Sequence, residues 1–297
     1  MWFTRGMDKL AELRALIARH GAGGLTRTPL AGVSVMAAYE PTLPLGSISE
    51  PSLAVMAGGA KRTVVGERSF IYEAGEYLLV SLDLPVTAHV LRASRDEPFL
   101  AFGLVLRPAT IATLLLEAPG AAGGPRTPSG VVVSQASPEL LDAIVRMTRL
   151  LDHPGDAPVL APAYEREILW RLITGEHGAT VRQIGLADSA LSHISKAIAW
   201  IRAHHDQRLR IDDLADLSGM SPSAFHRHFR AATAMTPIQF QKTVRLQEAR
   251  ALLIARPDDV AGAGFAVGYN SPSQFSREYA RRYGRPPGRD AELLRAS

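Results

Sequence analysis

Hydrophobic positions change their period twice along the chain. Residues 8–19 (DKLAELRALIAR) place Leu10, Leu13 and Ile17 three or four apart, which predicts a short amphipathic helix. From about Val33 to Leu106 the pattern shortens to β-like runs between turns: GVSVMAAY, PSLAVMAGG, KRTVVG, SFIYEAG, YLLVSLDLP, VTAHVLRAS and PFLAFGLVL, punctuated by Gly58-Gly59, Gly66, Gly75 and Pro85. Short strands at this roughly ten-residue spacing predict an antiparallel barrel or sandwich. GAAGGPRTPSG, 120–130, reads as a surface loop. Beyond Val131–Val133 the pattern is helical to the end.

Two helices are expected directly after the strands. Ser137-Pro138 supplies an N-cap and a first-turn proline, with Leu140, Leu141, Ile144, Val145, Met147, Leu150 and Leu151 as the apolar stripe. A second helix, about Ala163–Gly175, carries Tyr164, Ile168, Leu169, Leu172 and Ile173, and GEHGA (175–179) breaks it. These stripes suit packing against the strands, and any surplus apolar face suits a dimer contact. A further helix, Ser192–Ala203, presents Ile194, Ile198, Trp200 and Ile201.

A repeat then appears at a spacing of 50 residues. Ser221-Pro222-Ser223-Ala224-Phe225-His226-Arg227-His228-Phe229 aligns without a gap on Ser271-Pro272-Ser273-Gln274-Phe275-Ser276-Arg277-Glu278-Tyr279, and Thr236-Pro237 falls opposite Pro286-Pro287. Each copy, about 211–233 and 259–283, has the parts of a helix-turn-helix. In the first, Ile211, Leu214, Ala215 and Leu217 are expected to face inward, Ser218-Gly219-Met220 to turn the chain, and Ser221 to cap a second helix held by Phe225 and Phe229. In the second, Val260, Ala261 and Phe265 belong to the first helix, and Phe275 and Tyr279 anchor the second. Gly262 and Gly264 lower helix propensity there by about 1 kcal/mol each, so this unit is expected to be the less rigid.

The outward faces offer Ser223, His226, Arg227 and Arg230 in one copy. In the other they offer Ser273, Gln274, Ser276 and Arg277, followed by Arg281 and Arg282. Arginine can donate bidentately to guanine and glutamine can pair bidentately with adenine, while Ser, His and flanking arginines suit phosphates and shorter base contacts. Between the copies, Thr236-Pro237 opens a helix to about Ala255, with Ile238, Phe240, Val244, Leu246, Ala249, Leu252 and Leu253 as buried positions and Pro257 as terminator. About 18–20 residues at ~1.5 Å each give a strut of ~27–30 Å, close to the ~34 Å of one duplex turn.

Charge agrees with this division. Residues 191–297 hold 16 Lys/Arg against 10 Asp/Glu and five of the nine histidines, whereas residues 1–190 hold 17 Lys/Arg against 19 Asp/Glu. The positive excess therefore lies with the repeat and points to double-stranded DNA. The chain of 297 residues, 46% hydrophobic and 21% charged, is long enough for two domains. It has no cysteine, which excludes disulfides and thiolate chemistry and fits a reducing cytoplasm. No apolar run approaches the ~20 residues of a spanning helix. The expectation is a cytoplasmic protein without a membrane partner.

These motifs resemble the AraC/XylS family of bacterial transcription regulators over residues 191–297. AVGYNSPSQFSREYARRYGRPP (266–287) is similar to the family's second helix-turn-helix and the loop after it. IYEAGEYLLVSLDLPV (71–86), EPSLAVMAGGAKRTVVGE (50–67) and YEREILWRLITGEHGA (164–179) resemble a subgroup with an N-terminal regulatory domain of cupin type. The resemblance implies an α+β chain. Its first part, 1–185, is a cupin-like antiparallel β-barrel (about 30–110) with flanking helices (about 135–175). Its second part, 191–297, is an all-α DNA-binding domain of two helix-turn-helix units joined by a linker helix. Carried over by position, Ser223, His226, Arg227, Ser273, Gln274 and Arg277 are the expected base readers, with Arg230, Arg281 and Arg282 on the DNA backbone. A small-molecule effector in the barrel, a homodimer, and activation through RNA polymerase are implied in the same way.

The barrel region itself gives little chemistry. Its single histidine, His89, cannot supply the set of histidines and carboxylate that a cupin metal site needs, so no metal or cofactor is expected. Tyr39, Tyr77 and His89 are the candidate pocket residues. Two other readings stay open: a metal-independent cupin enzyme tethered to DNA, and a barrel that serves only dimerisation.

Overall fold

A computed structural model describes residues 2–117, 129–256 and 258–296, with side chains from residue 9 to residue 295 of these segments. The expected loop at 120–130 lies almost wholly outside them, as does Pro257. An N-terminal helix α1 (Trp2–His20) precedes nine strands: β1 (Gly24–Arg27), β2 (Val33–Ala38), β3 (Leu45–Ser49), β4 (Ser52–Gly58), β5 (Ala60–Val65), β6 (Arg68–Glu73), β7 (Glu76–Val80), β8 (Leu84–Arg92) and β9 (Phe99–Val105). Helix α2 (Pro108–Glu117) and strand β10 (Val131–Gln135) follow. All seven expected runs form strands. β1, β3, α2 and β10 were not signalled, because each is short or lacks clear alternation.

The strands form two antiparallel sheets, ordered β1-β2-β9-β4-β7-β10 and β3-β8-β5-β6. One face of the larger sheet, with Val35, Leu53, Val55, Phe102 and Leu79 fully buried, lies under α1, whose Leu13, Leu16 and Ile17 are buried against it. The other face meets the smaller sheet. Lys61 on β5 reaches across to the Met36 sulfur on β2 at 3.6 Å, and the Thr63 and Tyr72 hydroxyls bond at 2.7 Å in the same buried layer. Each fully buried Leu or Val contributes about 1.5–3 kcal/mol, so alternation alone fixes the strand register.

Helices α3 (Pro138–Arg149), α4 (Ala157–Thr174) and α5 (Gly178–Gly185) come next. Ser137 caps α3 as expected, its hydroxyl accepting from the Leu140 amide. Most of the apolar stripes of α3 and α4 is buried within the chain, α3 packing between α1 and α4, while Val159 of α4 is 76% exposed. Helix α4 starts well before Ala163 because Pro158 occupies its first turn and Pro162 is accommodated inside it.

The C-terminal part is α6 (Ala190–Ala203), α7 (Ile211–Leu217), α8 (Pro222–Thr233), α9 (Pro237–Ala255), α10 (Val260–Ala266), α11 (Pro272–Tyr283) and α12 (Pro287–Ala296). Thr236 and Gln239 cap α9 reciprocally. Phe240, Val244, Leu246, Ala249 and Leu253 are buried as expected, but Ile238 is 60% exposed, and Gln241, Gln247 and Arg250 are buried instead. The reason is that α9 touches more than the two repeat units. One side lies on β3 and β8, where the Gln247 amide donates to the Val86 carbonyl at 3.0 Å. Arg250 forms a buried bidentate pair with Asp290 of α12, at 2.7 and 3.1 Å, and Asp290 also accepts from the Tyr279 hydroxyl at 2.9 Å.

Removing Asp290 leaves a buried guanidinium without its counter-charge. Asp290→Ala is therefore expected to destabilise the second repeat unit by about 3–5 kcal/mol, measured by denaturant titration followed through tyrosine fluorescence; a loss below ~1 kcal/mol would show that the pair is dispensable.

Candidate nucleic-acid interface

The two halves of the repeat fold alike, down to their caps. Ser221 accepts from the Ala224 amide, and fifty residues on Ser271 accepts from the Gln274 amide. Each turn contains a glycine with positive φ, Gly219 at +60° and Gly268 at +84°. Each second helix ends in a left-handed residue, Ala234 in the first copy and Gly284 in the second. Ala234 is the position where the first copy carries a Cβ in a conformation that favours glycine.

Aromatic rings set the inward faces. Phe225, Phe229 and Phe240 pack in tilted and edge-to-face contacts with centroids 5.4 and 5.5 Å apart, tying α8 to α9. Tyr269, Phe275 and Tyr279 repeat the arrangement at 5.3 and 5.6 Å. Gly264 lets the Phe275 ring come against α10: a Cβ there would stand 3.0 Å from that ring. In α7, Leu214 and Ala215 are buried, whereas Leu217 is 45% exposed, contrary to its expected inward position; the short helix turns that residue out two positions after the buried pair. Phe265 of α10 is likewise 55% exposed.

With the rings inward, the opposite faces are solvent-facing. Ser223, His226, Arg227 and Arg230 on α8 are exposed, as are Ser273, Gln274 and Arg277 on α11 and Arg281 at its end. The side chains of Arg227, Arg230 and Arg281 make no hydrogen bond or ion pair with any described residue. Arg277 only reaches back to the Ser273 carbonyl at 3.3 Å, and the Gln274 amide leans on Glu278 at 3.4 Å. Arg282 differs. It is half-buried and donates to the Thr87 hydroxyl of β8 at 3.1 Å, so the barrel holds the guanidinium expected on the DNA backbone.

The two units are locked together by an arginine the sequence did not signal. Arg245 of α9 donates to the carbonyls of His205, Asp206 and Gln207, before the first unit, and of Gly268, in the turn of the second. Gly268 lies so close to the Asp206 carbonyl that a Cβ would overlap it. Nearby, Glu278 accepts from Lys242 at 2.9 Å and from the Tyr269 hydroxyl at 2.8 Å. Burial opposes its charge, but these donors outweigh burial and hold its carboxyl below the ordinary value of 4.5.

The three barrel residues proposed for a pocket are not brought together. Tyr39 is exposed after β2. Tyr77 pairs across to Val55, on the face of the larger sheet that lies under the helices, where burial pushes its phenol up. His89 is paired with Arg62 across β5, on the face opposite Lys61, and burial followed by Arg62 repulsion pushes its imidazole down. A charged group that does enter the space between the sheets is Lys61, whose ammonium burial pushes down; it meets the Met36 sulfur and the Phe99 ring.

Comparison with known proteins agrees with this architecture. The model of the AraC-type transcriptional regulator N-terminus matches residues 29–180, and a helix-turn-helix domain model matches residues 214–292. The HTH-type transcriptional activator RhaS of Escherichia fergusonii is 32% identical over 111 residues, 36% of this chain and 39% of that protein. The HTH-type transcriptional regulator YobQ of Bacillus subtilis is 30% identical over 96 residues, 32% of this chain and 40% of that protein. The match thus spans about two-fifths of each of these relatives. In fold, the chain is similar to apo ToxT from Vibrio cholerae, with a TM-score of 0.54 at 10% identity, covering 90% of this chain and 100% of that one.

Two predictions follow from the geometry of the second unit. Its buried cluster, built on Phe275 and Tyr279, is small and separate from the core that the first unit shares with the barrel. Amides of α10 and α11 are therefore expected to exchange faster than those of α7 and α8 in the free protein; equal protection would contradict this. Because the Glu278 carboxyl is held below 4.5, its contribution is present above that value and lost as pH falls through its lower folded value. Glu278→Gln should accordingly flatten the acid limb of the unfolding curve below about pH 4.5. By the match over more than half of its length, and by the duplicated helix-turn-helix that follows, the chain belongs to the family of AraC-type transcriptional regulators.

Proposed function

We propose that the chain is a sequence-specific DNA-binding activator of transcription, controlled by a small molecule bound in its N-terminal part. Residues 1–185 are the regulatory part in this reading and residues 191–297 the DNA-reading part. The observation that carries it is the pair of exposed faces fifty residues apart, each built on a capped helix whose arginine is left without a strong partner. Ser223, His226 and Arg227 would contact bases in one major groove, and Ser273, Gln274 and Arg277 in the next. Arg230 and Arg281 suit phosphates, being exposed and without protein partners. Arg282 is left out of that set, since it is held on Thr87.

Spacing supports the reading. Helix α9 has 19 residues, about 28 Å at ~1.5 Å each, against ~34 Å for one duplex turn. Activation and contact with RNA polymerase are inferred from the family and from the similarity to RhaS. A homodimer is inferred from the family and from the prevalence of two-fold assemblies among soluble proteins, with the helices after the strands as its contact.

Selection of duplexes from a random library by the full chain, followed by anisotropy titration, tests this. Enrichment of two half-sites about 10 base pairs apart is expected. Absence of any enriched sequence overturns the reading. Arg227→Ala should weaken the selected site by about 1–3 kcal/mol and relax preference at one base pair. An equal loss on random duplex would instead make Arg227 a phosphate contact.

A further inference from the structure

Strands β6 and β10 are the free edges of the two sheets on the same side of the domain. Between them, beside the start of α5, lies a cleft of about 490 Å³ lined by Arg68, Phe70, Val131, Val133, His177 and Thr180. Arg68 and Phe70 share the face of β6 that carries the buried Tyr72, so the cleft opens into the layer between the sheets. Its walls are mostly apolar and its size is that of a small-molecule site. Arg68 lies over the Phe70 ring, 4.9 Å from its centroid, and forms no ion pair with any described residue. Glu176, beside His177 at the cleft, accepts from the Ser134 hydroxyl at 2.8 Å and faces His177 at 3.8 Å.

The cleft is also joined to the first reading helix. Gly66, in the turn that leads into β6, approaches the end of α8 so closely that a Cβ would stand 2.7 Å from the Ala234 carbonyl. Gly130, immediately before β10, touches the Ala232 carbonyl, where a Cβ would overlap the oxygen. Both strands that wall the cleft thus begin against the same helix end, the one that carries a left-handed alanine. A molecule that wedges β6 and β10 apart, or draws them together, must move that end or strain it.

We propose that this cleft is the effector site and that it takes a monocarboxylate with an apolar body. The carboxylate would lie on the Arg68 guanidinium and the body on Phe70, Val131 and Val133. A single planar guanidinium matches a carboxylate in bidentate geometry, and among the described residues Arg68 is the one strong cation lining the cleft, which suits a carboxylate better than a phosphate. This rests on reading the chain as a ligand-controlled DNA binder, and it names both the ligand class and the route to α8.

The test uses the full chain with 6-phenylhexanoate as probe and 6-phenylhexanamide as its neutral counterpart, followed by thermal shift and calorimetry. The acid should raise Tm and bind at least tenfold more tightly than the amide. Arg68→Gln should abolish that preference and leave amide binding unchanged; Arg68 is exposed, so the variant should fold normally. Amide exchange at residues 229–235 should change on adding the acid to the wild type and not to Arg68→Gln. The proposal is overturned if the acid fails to bind at millimolar concentration, if Arg68→Gln binds it as tightly as the wild type, or if Lys61→Met rather than Arg68→Gln removes binding. Binding without any change at residues 229–235 overturns the route to α8. Operator selection in the absence of probe separates the two levels. If a selected site is bound but the acid is not, only the effector proposal falls. If the acid is bound as expected but no site is selected, the DNA-reading function falls and the cleft stands as a ligand site.

Discussion

Arg245 converts two small helical units into one object. Its guanidinium spends its donors on backbone carbonyls from both sides of α9, three from the segment ahead of the first unit and one from the turn of the second. Carbonyl oxygens cannot rotate away as side chains do, so this contact fixes position as well as orientation. The close approach of Gly268 to Asp206 is its steric counterpart. A second unit whose own buried cluster is small could otherwise pivot on the linker. The proposed reading of two successive grooves needs the opposite: the distance between the helices would have to be set before DNA arrives, or the ordering cost would fall on binding.

Helix α9 also lies on the barrel, and beside the apolar core shared with the first unit several contacts between the two parts are polar. Gln247 donates to carbonyls on β8 and β3, Arg202 pairs with Asp83, and Arg282 with Thr87. Polar contacts of this kind exchange for water at small net cost, which is how domain interfaces that rearrange are built. By contrast the contacts of Gly66 and Gly130 with the end of α8 are steric and admit no substitute. The barrel therefore meets the C-terminal part through polar bonds that can be remade, through the apolar core it shares with the first unit, and at the end of α8 through backbone that cannot yield locally.

Much of this was legible in the chain. The alternation from Val33 to Leu106 gave seven of the strands, because one face of each is buried and a one-residue slip would expose it. The doubled S-P-S-x-F-x-R motif located both reading helices, their caps and their outward arginines, since a 3.6-residue period leaves no freedom once Phe225 and Phe275 point inward. Ile238 and Leu217 were misplaced for a common reason. Each is correct for an isolated helix pair, and each was decided by a neighbour distant in sequence or by its absence. The pocket candidates Tyr39, Tyr77 and His89 were picked by residue type, and type carries no information about which face of a sheet a strand presents.

What the sequence determined alone is local or periodic: which segments become strands and helices, which glycines must turn, and which side chains of the repeat stay outside. Those follow from backbone stereochemistry and from burying apolar surface, both readable within a few residues. What only the tertiary structure decided is polar and long-range. The carbonyls that Arg245 gathers, the burial of Gln247 and Arg250 against the barrel and α12, and the unjoined edges of β6 and β10 around Arg68 all depend on which elements meet. Hydrogen bonding is directional and indifferent to residue spacing along the chain, so no period in the sequence announces it.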